Sequence, residues 1–419
     1  MENSNQWKPA FIKFWFTQAL SLIGSGLASF SVVWWITETT GSPVVLTMVS
    51  LATLLPGILI GPLAGAVVDQ RNRKLILITT DAISAILALL LVFLFWTNWI
   101  QIWHIIVINI LRALAGAFQF PAVQSSTSLM VPEEHLARVS GLNQALQGVS
   151  MVATPPLGAL LLSLLPIHVI MGIDMVTAAI AIFLLFSINI PQPSTQQSIN
   201  HLSTTVWENV RVGFVFIRQW PALINIMLIA ALLNLVLTPA FTLIPILITQ
   251  HFLGSVFQLG WINAAYGIGT IGGGALLGIW GGFKRRIFTS LLGLAGLGIG
   301  SFMIGISPRD SFWIALIGMA LVGTMNVFAN GPFFAILQSI APPEIQGWVF
   351  TVLMSISMSM APIGLAIAGP LTKQLGVQFW YVLGALICAM MVVWIIFSPA
   401  LLHLEEKQIH LASADSTAN

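Results

Sequence analysis

Long apolar runs separated by short polar segments dominate the pattern of this chain. A membrane-spanning helix needs about 20 mostly apolar residues. Because lipid offers backbone groups no hydrogen-bond partner, runs of that length cross it as helices. They lie near residues 11–36, 44–68, 75–96, 102–126, 139–162, 167–189, 221–249, 257–280, 287–306, 312–337, 349–372 and 377–398. The pattern predicts an all-α polytopic membrane protein with twelve transmembrane helices.

A polar interval divides these runs into two sets of six. Within it, Trp207, Val210, Phe214 and Ile217 recur at spacings of three and four, which predicts an amphipathic helix at the membrane surface. The predicted organisation has four parts: an N-terminal six-helix bundle (1–190), a cytoplasmic linker (191–220), a C-terminal six-helix bundle (221–398) and a cytoplasmic tail (399–419).

Three short motifs of the first set recur in the second set at the matching helix. The loop 131–139 is echoed by 341–349, and the basic loop that ends in Arg73-Lys74 is echoed by Lys284-Arg285-Arg286. Pro155-Pro156-Leu157-Gly158 in the fifth run corresponds to Pro362-Ile363-Gly364 in the eleventh. Internal repeats are common in transporters, and the echoes predict two pseudo-symmetric six-helix bundles.

Composition excludes several classes of protein. The chain has 57% hydrophobic and 7% charged residues, whereas soluble proteins carry about 25% charged residues. The single cysteine, Cys388, rules out a disulfide within the chain. The sequence has no phosphate-binding loop, nucleophile elbow, dinucleotide fingerprint or metal-ligand spacing. We therefore expect no enzyme activity, no cofactor, no metal and no nucleic-acid partner.

The basic residues are distributed unevenly over the predicted loops. Arg309 and Lys373 fall on one side of the membrane, and Arg112 lies inside a span. The other basic residues fall on the opposite side: Lys8, Lys13, Arg71, Arg73, Lys74, Arg138, Arg211, Arg218, Lys284, Arg285, Arg286 and Lys407. Because Lys and Arg mark cytoplasmic loops, this asymmetry predicts that both termini are cytoplasmic.

The most informative motif lies between the second and third runs, as Gly61-x-x-x-Gly65-x-x-x-Asp69-x-x-x-Arg73-Lys74. It resembles the signature loop of the major facilitator superfamily. With the segments Ile36–Ser42, Leu129–Glu134 and Ala361–Gly364, the chain is similar to bacterial macrolide-efflux-type drug exporters. The resemblance implies the major facilitator fold, in which two bundles rock around a central site.

The resemblance implies a gating role for the Asp69 loop. Gly61 and Gly65 would let the second helix approach a neighbour closely. Asp69, with Arg73 and Lys74, would hold the cytoplasmic ends of the bundles together, its carboxylate meeting the positive end of the eleventh helix. A solvated loop that only sets topology is the alternative. Gln70 stands where the family commonly has Arg. In the corresponding loop of the second half, Gly281 stands in place of the acid.

Three ionisable residues inside spans are the candidates for proton coupling. Arg112 lies near the middle of the fourth helix, where its charge demands a partner or water. Asp81 in the third helix and Asp174 in the sixth are the carboxylates available in the same half. A purely structural ion pair is the alternative for each of them.

The fifth helix resembles the Gly/Pro-rich motif of exporters, and we expect Pro155, Pro156 and Gly158, with Pro362 and Gly364, to let helices bend and slide. Helix packing is the alternative. The fold implies that the first, fourth, seventh and tenth helices surround a mostly apolar cavity that suits a bulky amphipathic ligand. The candidate lining residues are Gln18, Arg112, Asn234, Phe241, Asn326, Phe328 and Asn330.

The sequence thus predicts a secondary exporter of hydrophobic or amphipathic compounds, macrolides among them, in a bacterial cell membrane. Inward proton flow would drive it through alternating access. We expect a monomer whose partners are a small amphipathic substrate, protons and the lipid bilayer. The alternatives are an exporter of siderophores, lipids or metabolites, and a non-transporting receptor or assembly partner with the same fold.

Overall fold

The computed structural model describes residues 7–190, 206–340 and 346–398, and over these ranges the chain is helical, without strands. Thirteen helices are labelled in chain order. The first seven are α1 (Trp7–Thr40), α2 (Pro43–Gln70), α3 (Arg73–Trp96), α4 (Ile102–Met130), α5 (Glu133–Leu164), α6 (Ile167–Phe186) and α7 (Val206–Gln219). The others are α8 (Pro221–Thr242), α9 (Val256–Trp280), α10 (Arg286–Ile306), α11 (Phe312–Ile340), α12 (Gln346–Leu375) and α13 (Gln378–Phe397).

In the described part of the chain, twelve of these helices are long and apolar enough to cross a membrane. This confirms the predicted all-α polytopic architecture. The contacts divide the chain into two compact units. The first comprises Met1–Ser203 with Gly254–Trp261, and the second comprises Thr204–Leu253 with Ile262–Asn419. The linker 191–205, the stretch 341–345 with its predicted motif, and the tail 399–419 lie outside the described residues.

The two units use the same packing scheme. In the first unit, α1 packs against α5 and α6, while α3 packs against α4 and α6. In the second, α8 packs against α12 and α13, while α10 packs against α11 and α13. These four helix contacts of one unit thus have counterparts in the other, in agreement with the predicted pseudo-symmetric six-helix bundles.

One arginine contact is repeated in both units. Arg73 is the first residue of α3, and its Nη1 donates to the carbonyl of Ser125 on α4 at 3.2 Å. Arg286 is the first residue of α10, and its Nη1 donates to the carbonyl of Ala335 on α11, also at 3.2 Å. Both acceptors lie five residues before the end of helices of 29 residues. These contacts fix the register in which the two units correspond.

The seventh span departs from the prediction. The apolar run continues to residue 249, but α8 ends at Thr242 and is followed by a short helical turn, Ile244–Ile246, and a π-helical turn, Leu247–His251. Pro239 and Pro245 lack the N–H groups that a continuous helix needs here. The buried hydroxyl of Tyr381 donates to the carbonyl of Ala240 at 2.8 Å, which satisfies a backbone group at the break.

The predicted amphipathic helix is present as α7, but only part of its apolar face is covered. Ile217 is 1% exposed, whereas Phe214 is 49% exposed. The helix packs against α12 and α8. The side chains of Trp207 and Val210 lie outside the described residues. The predicted helix is therefore present, and Phe214 on its apolar face remains exposed.

Candidate functional site

An ion pair lies inside the first unit, where three helices meet. Arg112 of α4 donates through Nη2 to Oδ2 of Asp174 on α6. The other carboxylate oxygen of Asp174 accepts a hydrogen bond from the hydroxyl of Ser25 on α1 at 2.9 Å. The Asp174 side chain is 3% exposed and that of Arg112 is 17% exposed. The side chain of Arg112 therefore stays partly accessible, whereas that of its partner is enclosed.

Asp81, the other acid inside a span of this unit, does not pair with Arg112. Asp81 on α3 is 1% exposed, and its Oδ1 accepts a hydrogen bond from the side-chain amide of Gln119 on α4 at 2.7 Å. No described residue gives a hydrogen bond to its Oδ2. Of the three proton-coupling candidates, Arg112 and Asp174 are therefore brought together and Asp81 is bound elsewhere on α4.

The second unit packs the corresponding positions without charge. The helices α4 and α11 have equal lengths, as do α6 and α13. In that register Val322 stands at the position of Arg112 and Ala385 at that of Asp174. Replacing a buried ion pair by packed apolar residues is often neutral or stabilising. The same helix packing is thus built without this pair in the second unit.

The gating glycines of α2 do not make the predicted close approach. No described atom lies within 4 Å of the place that a Cβ would take at Gly61 or Gly65. Among the described residues, α2 therefore makes no tight contact at these two glycines. Asp69 lies in the last turn of α2, and its side chain is outside the description. Its gating role stays a prediction.

The basic residues of the same motif hold their own unit together. Arg73 is 8% exposed and binds α4 as described above. Lys74 donates from Nζ to the carbonyls of Phe186, at 3.0 Å, and Ile188, at 2.7 Å. These carbonyls lie at the C-terminal end of α6, where a cation is favourable. We call the side of the first unit that carries Arg73 and Lys74 its basic end.

The Gly/Pro motifs also pack within their own units. A Cβ at Gly158 on α5 would stand 2.6 Å from the ring of Phe30 on α1. Gly364 on α12 lies so close to the carbonyl of Leu235 on α8 that a Cβ would overlap it. Pro155, Pro156 and Pro362 remain inside continuous helices and are half-buried. The glycines thus let helices approach within a unit, and sliding against the other bundle stays a prediction.

The candidate cavity residues have different environments. Phe328 is 5% exposed and stacks on Trp280, so its side chain is enclosed in this structure and its place in the cavity stays a prediction. Asn234 donates to the carbonyl of Ala230 on its own helix at 2.9 Å. The others retain partly exposed side chains: Gln18, beside the hydroxyl of Thr17; Phe241, edge-on to Tyr266; and Asn326 and Asn330, bonded to each other. Among the described residues, no three His, Cys, Asp or Glu side chains could hold a metal ion together.

Comparison with known proteins places this architecture in a family. The family model described as Major Facilitator Superfamily matches residues 14–353 and 240–416. The chain belongs to the major facilitator superfamily. This is a family of transporters and not of enzymes, and the predicted resemblance is confirmed.

Two relatives within the superfamily are named for efflux. Macrolide efflux protein A of Streptococcus pyogenes is 31% identical over 394 residues, which cover 94% of this chain and 97% of that protein. Multidrug efflux pump Tap of Mycobacterium tuberculosis is 25% identical over 391 residues, which cover 90% of each chain. The chain is therefore a superfamily transporter with efflux proteins among its relatives.

A solved structure confirms the superfamily fold. The crystal structure of a bacterial homologue of the iron transporter ferroportin, in an inward-facing state, has a TM-score of 0.71 and 14% sequence identity, and the match covers 92% of this chain and 98% of that one. At this identity the likeness concerns the fold alone.

Two partners in the site were missed by the sequence analysis. Ser25 carries no charge and stands on a helix that is apolar on most sides, so nothing marked it as a ligand of Asp174. Gln119 follows Arg112 by seven residues, about two helical turns, which places both on one face of α4. That spacing is visible in the sequence and could have indicated Gln119 as the partner of Asp81.

Proposed function

We propose that this superfamily member is a secondary exporter that moves hydrophobic or amphipathic compounds, macrolides among them, out of a bacterial cell in exchange for protons. The observation that carries the proposal is the Arg112–Asp174 pair, buried on its acidic side and accessible on its basic side. Ionisable residues at membrane depth are expensive and serve transport or proton relays as a rule. The names of the relatives support export of drug-like compounds.

The pair suits exchange of a ligand for a proton. While Arg112 binds Asp174, the guanidinium balances the negative charge of the carboxylate. A ligand that reaches the partly exposed side chain of Arg112 would compete for its N–H donors and separate the pair. Asp174 would then take a proton at Oδ2, forming an O–H bond, and would keep the hydrogen bond of Ser25 at Oδ1. Release of that proton restores the pair.

Alternating access of two bundles around a midplane site would couple this exchange to transport. The rival exporters of siderophores, lipids or metabolites fit the same fold. A non-transporting receptor is disfavoured, because a protein that only needed the fold could use apolar residues at these positions. The second unit has such residues, Val322 and Ala385. The proposal includes a bacterial plasma membrane, both termini in the cytoplasm, a monomer, and partners limited to substrate, protons and lipid.

Transport assays in proteoliposomes can test the coupling role, with radiolabelled erythromycin as the probe. Arg112→Lys keeps the charge but loses the planar fork that holds the carboxylate. We expect it to lower pH-gradient-driven uptake by about tenfold or more, since a single misplaced coupling group suffices for such a loss. Arg112→Ala should abolish gradient-driven uptake and leave erythromycin counterflow.

Arg138→Ala is the matched control, because Arg138 is basic and exposed in the same unit and lies outside the Asp69 loop. It should leave both assays unchanged. Full gradient-driven uptake by Arg112→Ala, in protein that remains monodisperse, would refute proton coupling through this pair. Failure of the wild type to transport erythromycin in either assay would remove macrolides from the proposal and direct the screen to other amphipathic compounds.

A further inference from the structure

A line of polar side chains runs along one face of α4 inside the first unit. Arg112, Gln119 and Ser126 follow one another at intervals of seven residues. Seven residues are nearly two helical turns, so the three side chains share a face and span about 21 Å along the axis. We call these three residues and Asp81 the polar column. It extends from the Arg112–Asp174 pair towards the basic end, where the neighbour of Ser126, Ser125, accepts from Arg73.

Each level of the polar column has a buried polar atom that no described residue satisfies. These atoms are Nε of Arg112, Oδ2 of Asp81 and Oγ of Ser126. Asp81 is 1% exposed and Ser126 is fully buried. An unsatisfied buried polar group costs about 1–3 kcal/mol, and in native proteins such groups usually bind an internal water. Two of these atoms belong to one face of α4 and the third belongs to Asp81 of α3, which binds Gln119 on that face, so together they indicate bound water along the column.

The second unit shows that the fold itself does not require this line. In the register set by the two arginine contacts, the positions of Arg112, Gln119 and Ser126 are Val322, Ala329 and Ile336, and all three are apolar. The residues between them differ as well. Ala115 and Ala122 of α4 correspond to Met325 and Pro332 of α11. At these five positions the first unit thus has three polar residues and two alanines, whereas the second unit has only apolar residues.

We propose that the polar column is a hydrated proton path through the first unit, which connects Asp174 with the basic end and has Asp81 as its intermediate proton carrier. This deepens the proposed function and rests on it. A proton arriving at Asp81 forms an O–H bond at Oδ2 and leaves the hydrogen bond from Gln119 to Oδ1 in place. When the proton moves on to water, that O–H bond breaks and its electron pair stays on the carboxylate.

The charged and titratable groups around Asp81 are few. The helices α4 and α6 pack against α3. Apart from Arg112 and Asp174, they carry only His104 and His168, in their first turns. On α3 itself, Arg73 and Lys74 are engaged at the basic end. The helices α1 and α2 have their ionisable residues near their ends: Lys8, Lys13, Glu38 and Asp69. Within the described residues, no cation reaches Asp81, so water and protons are the ligands that its environment allows.

The first test separates proton coupling from substrate transport. In proteoliposomes with erythromycin as the probe, Asp81→Asn should lower pH-gradient-driven uptake about tenfold or more and leave counterflow within about twofold of wild type. Ser126→Ala should give a smaller loss, about threefold or more, because it removes one link for water. Ser357→Ala is the matched control, since Ser357 is a buried, unsatisfied serine of the second unit. It should change nothing.

The second test does not depend on transport. Infrared difference spectra should contain a protonated-carboxyl band that Asp81→Asn removes. On transfer to heavy water this band should shift rapidly in the wild type, and Ser126→Val, which places a methyl group in the path, should slow the shift about tenfold or more. Asp174→Asn, which removes the coupling pair, should leave fast exchange at Asp81.

The outcomes distinguish the two proposals. Normal gradient-driven uptake in Asp81→Asn, together with a band that exchanges equally fast in Ser126→Val, would overturn the proton path and leave coupling through Arg112 and Asp174 intact. If wild-type uptake did not respond to the pH gradient, the exporter would not be proton-driven. In that case, rapid exchange at Asp81 would still support the hydrated column, and slow exchange would refute it.

Discussion

Gly24 of α1 lies directly against Thr177 of α6, so closely that a Cβ on the glycine would overlap the threonine hydroxyl. The Cα of Asp174 is 3.3 Å from the same point. The next residue of α1, Ser25, donates its hydrogen bond to Asp174. Small residues permit close packing of membrane helices, and here that packing brings a neutral donor to the acid of the ion pair.

We predict that Gly24→Ala destabilises the first unit and loosens its ion pair. The added methyl group must push α6 away from α1, and overpacking of this kind costs about 1–3 kcal/mol. Thermal unfolding in detergent should occur at a lower temperature than in the wild type, and gradient-driven uptake should fall. Gly57→Ala on α2 is the control, because nothing lies within 4 Å of that position. Equal unfolding temperatures for the two variants would contradict the packing role.

A second prediction concerns Lys74, whose Nζ binds the carbonyls of Phe186 and Ile188 at the end of α6. Lys74→Met keeps an unbranched side chain, one atom shorter, and removes the charge. It should lower the free energy of unfolding by about 1–2 kcal/mol, the range expected for lost charge-assisted hydrogen bonds at a helix C-terminus. Arg71→Met, at an exposed position nearby, should have almost no effect. A Lys74→Met variant as stable as wild type would instead favour a role outside its own bundle.

The positions of the helices could be predicted because a span imposes a length on an apolar run, and no other segment of the chain meets that requirement. The break after α8 could not. Pro121, Pro332 and Pro370 lie inside continuous helices, so proline alone does not distinguish a break from a tolerated kink. At the end of α8, the carbonyl of Ala240 accepts a hydrogen bond from the buried hydroxyl of Tyr381 on α13. This contact joins residues far apart in the sequence and could not be predicted from the residues around the break.

At the site, the free-energy cost of burying a charge indicated that Arg112 has a partner. It did not indicate whether that partner is Asp81 or Asp174. That choice depends on how α3 and α6 are rotated about their axes. Both are so uniformly apolar that their sequences carry little information about rotation. In the structure, Arg112 pairs with Asp174, and Gln119 donates a hydrogen bond to Asp81.

A third prediction tests the orientation in the membrane. Single cysteines at positions 309 and 373 should react with an impermeant thiol reagent in intact cells, whereas those at 218 and 285 should react only after lysis. All four native side chains are exposed, while Arg73 is buried and would be a poor site for labelling. The background is Cys388→Ala, since Cys388 is fully buried and alanine avoids placing a hydroxyl there. Labelling at 218 from outside would contradict cytoplasmic termini.

The last prediction concerns Asp69, which lies in the last turn of α2. A helix ends in a partial negative charge, so a carboxylate in that turn is disfavoured by about 0.3–1 kcal/mol. A residue that only marked topology would gain nothing from this position. We therefore expect the carboxylate to find its compensation in one conformation of the transporter and not in the other.

Asp69→Asn should shift the resting equilibrium towards the inward-open state by about 1–3 kcal/mol, enough to change the populations severalfold or more. Spin labels at the exposed positions 72 and 284 should report longer mean distances across the cytoplasmic faces. Glu38→Gln is the matched control, because Glu38 is an exposed acid in the last turn of α1 and relieves the same dipole repulsion when neutralised. If both variants left the distances unchanged, Asp69 would be a topology signal; if both lengthened them, the effect would come from helix stability and not from a gate.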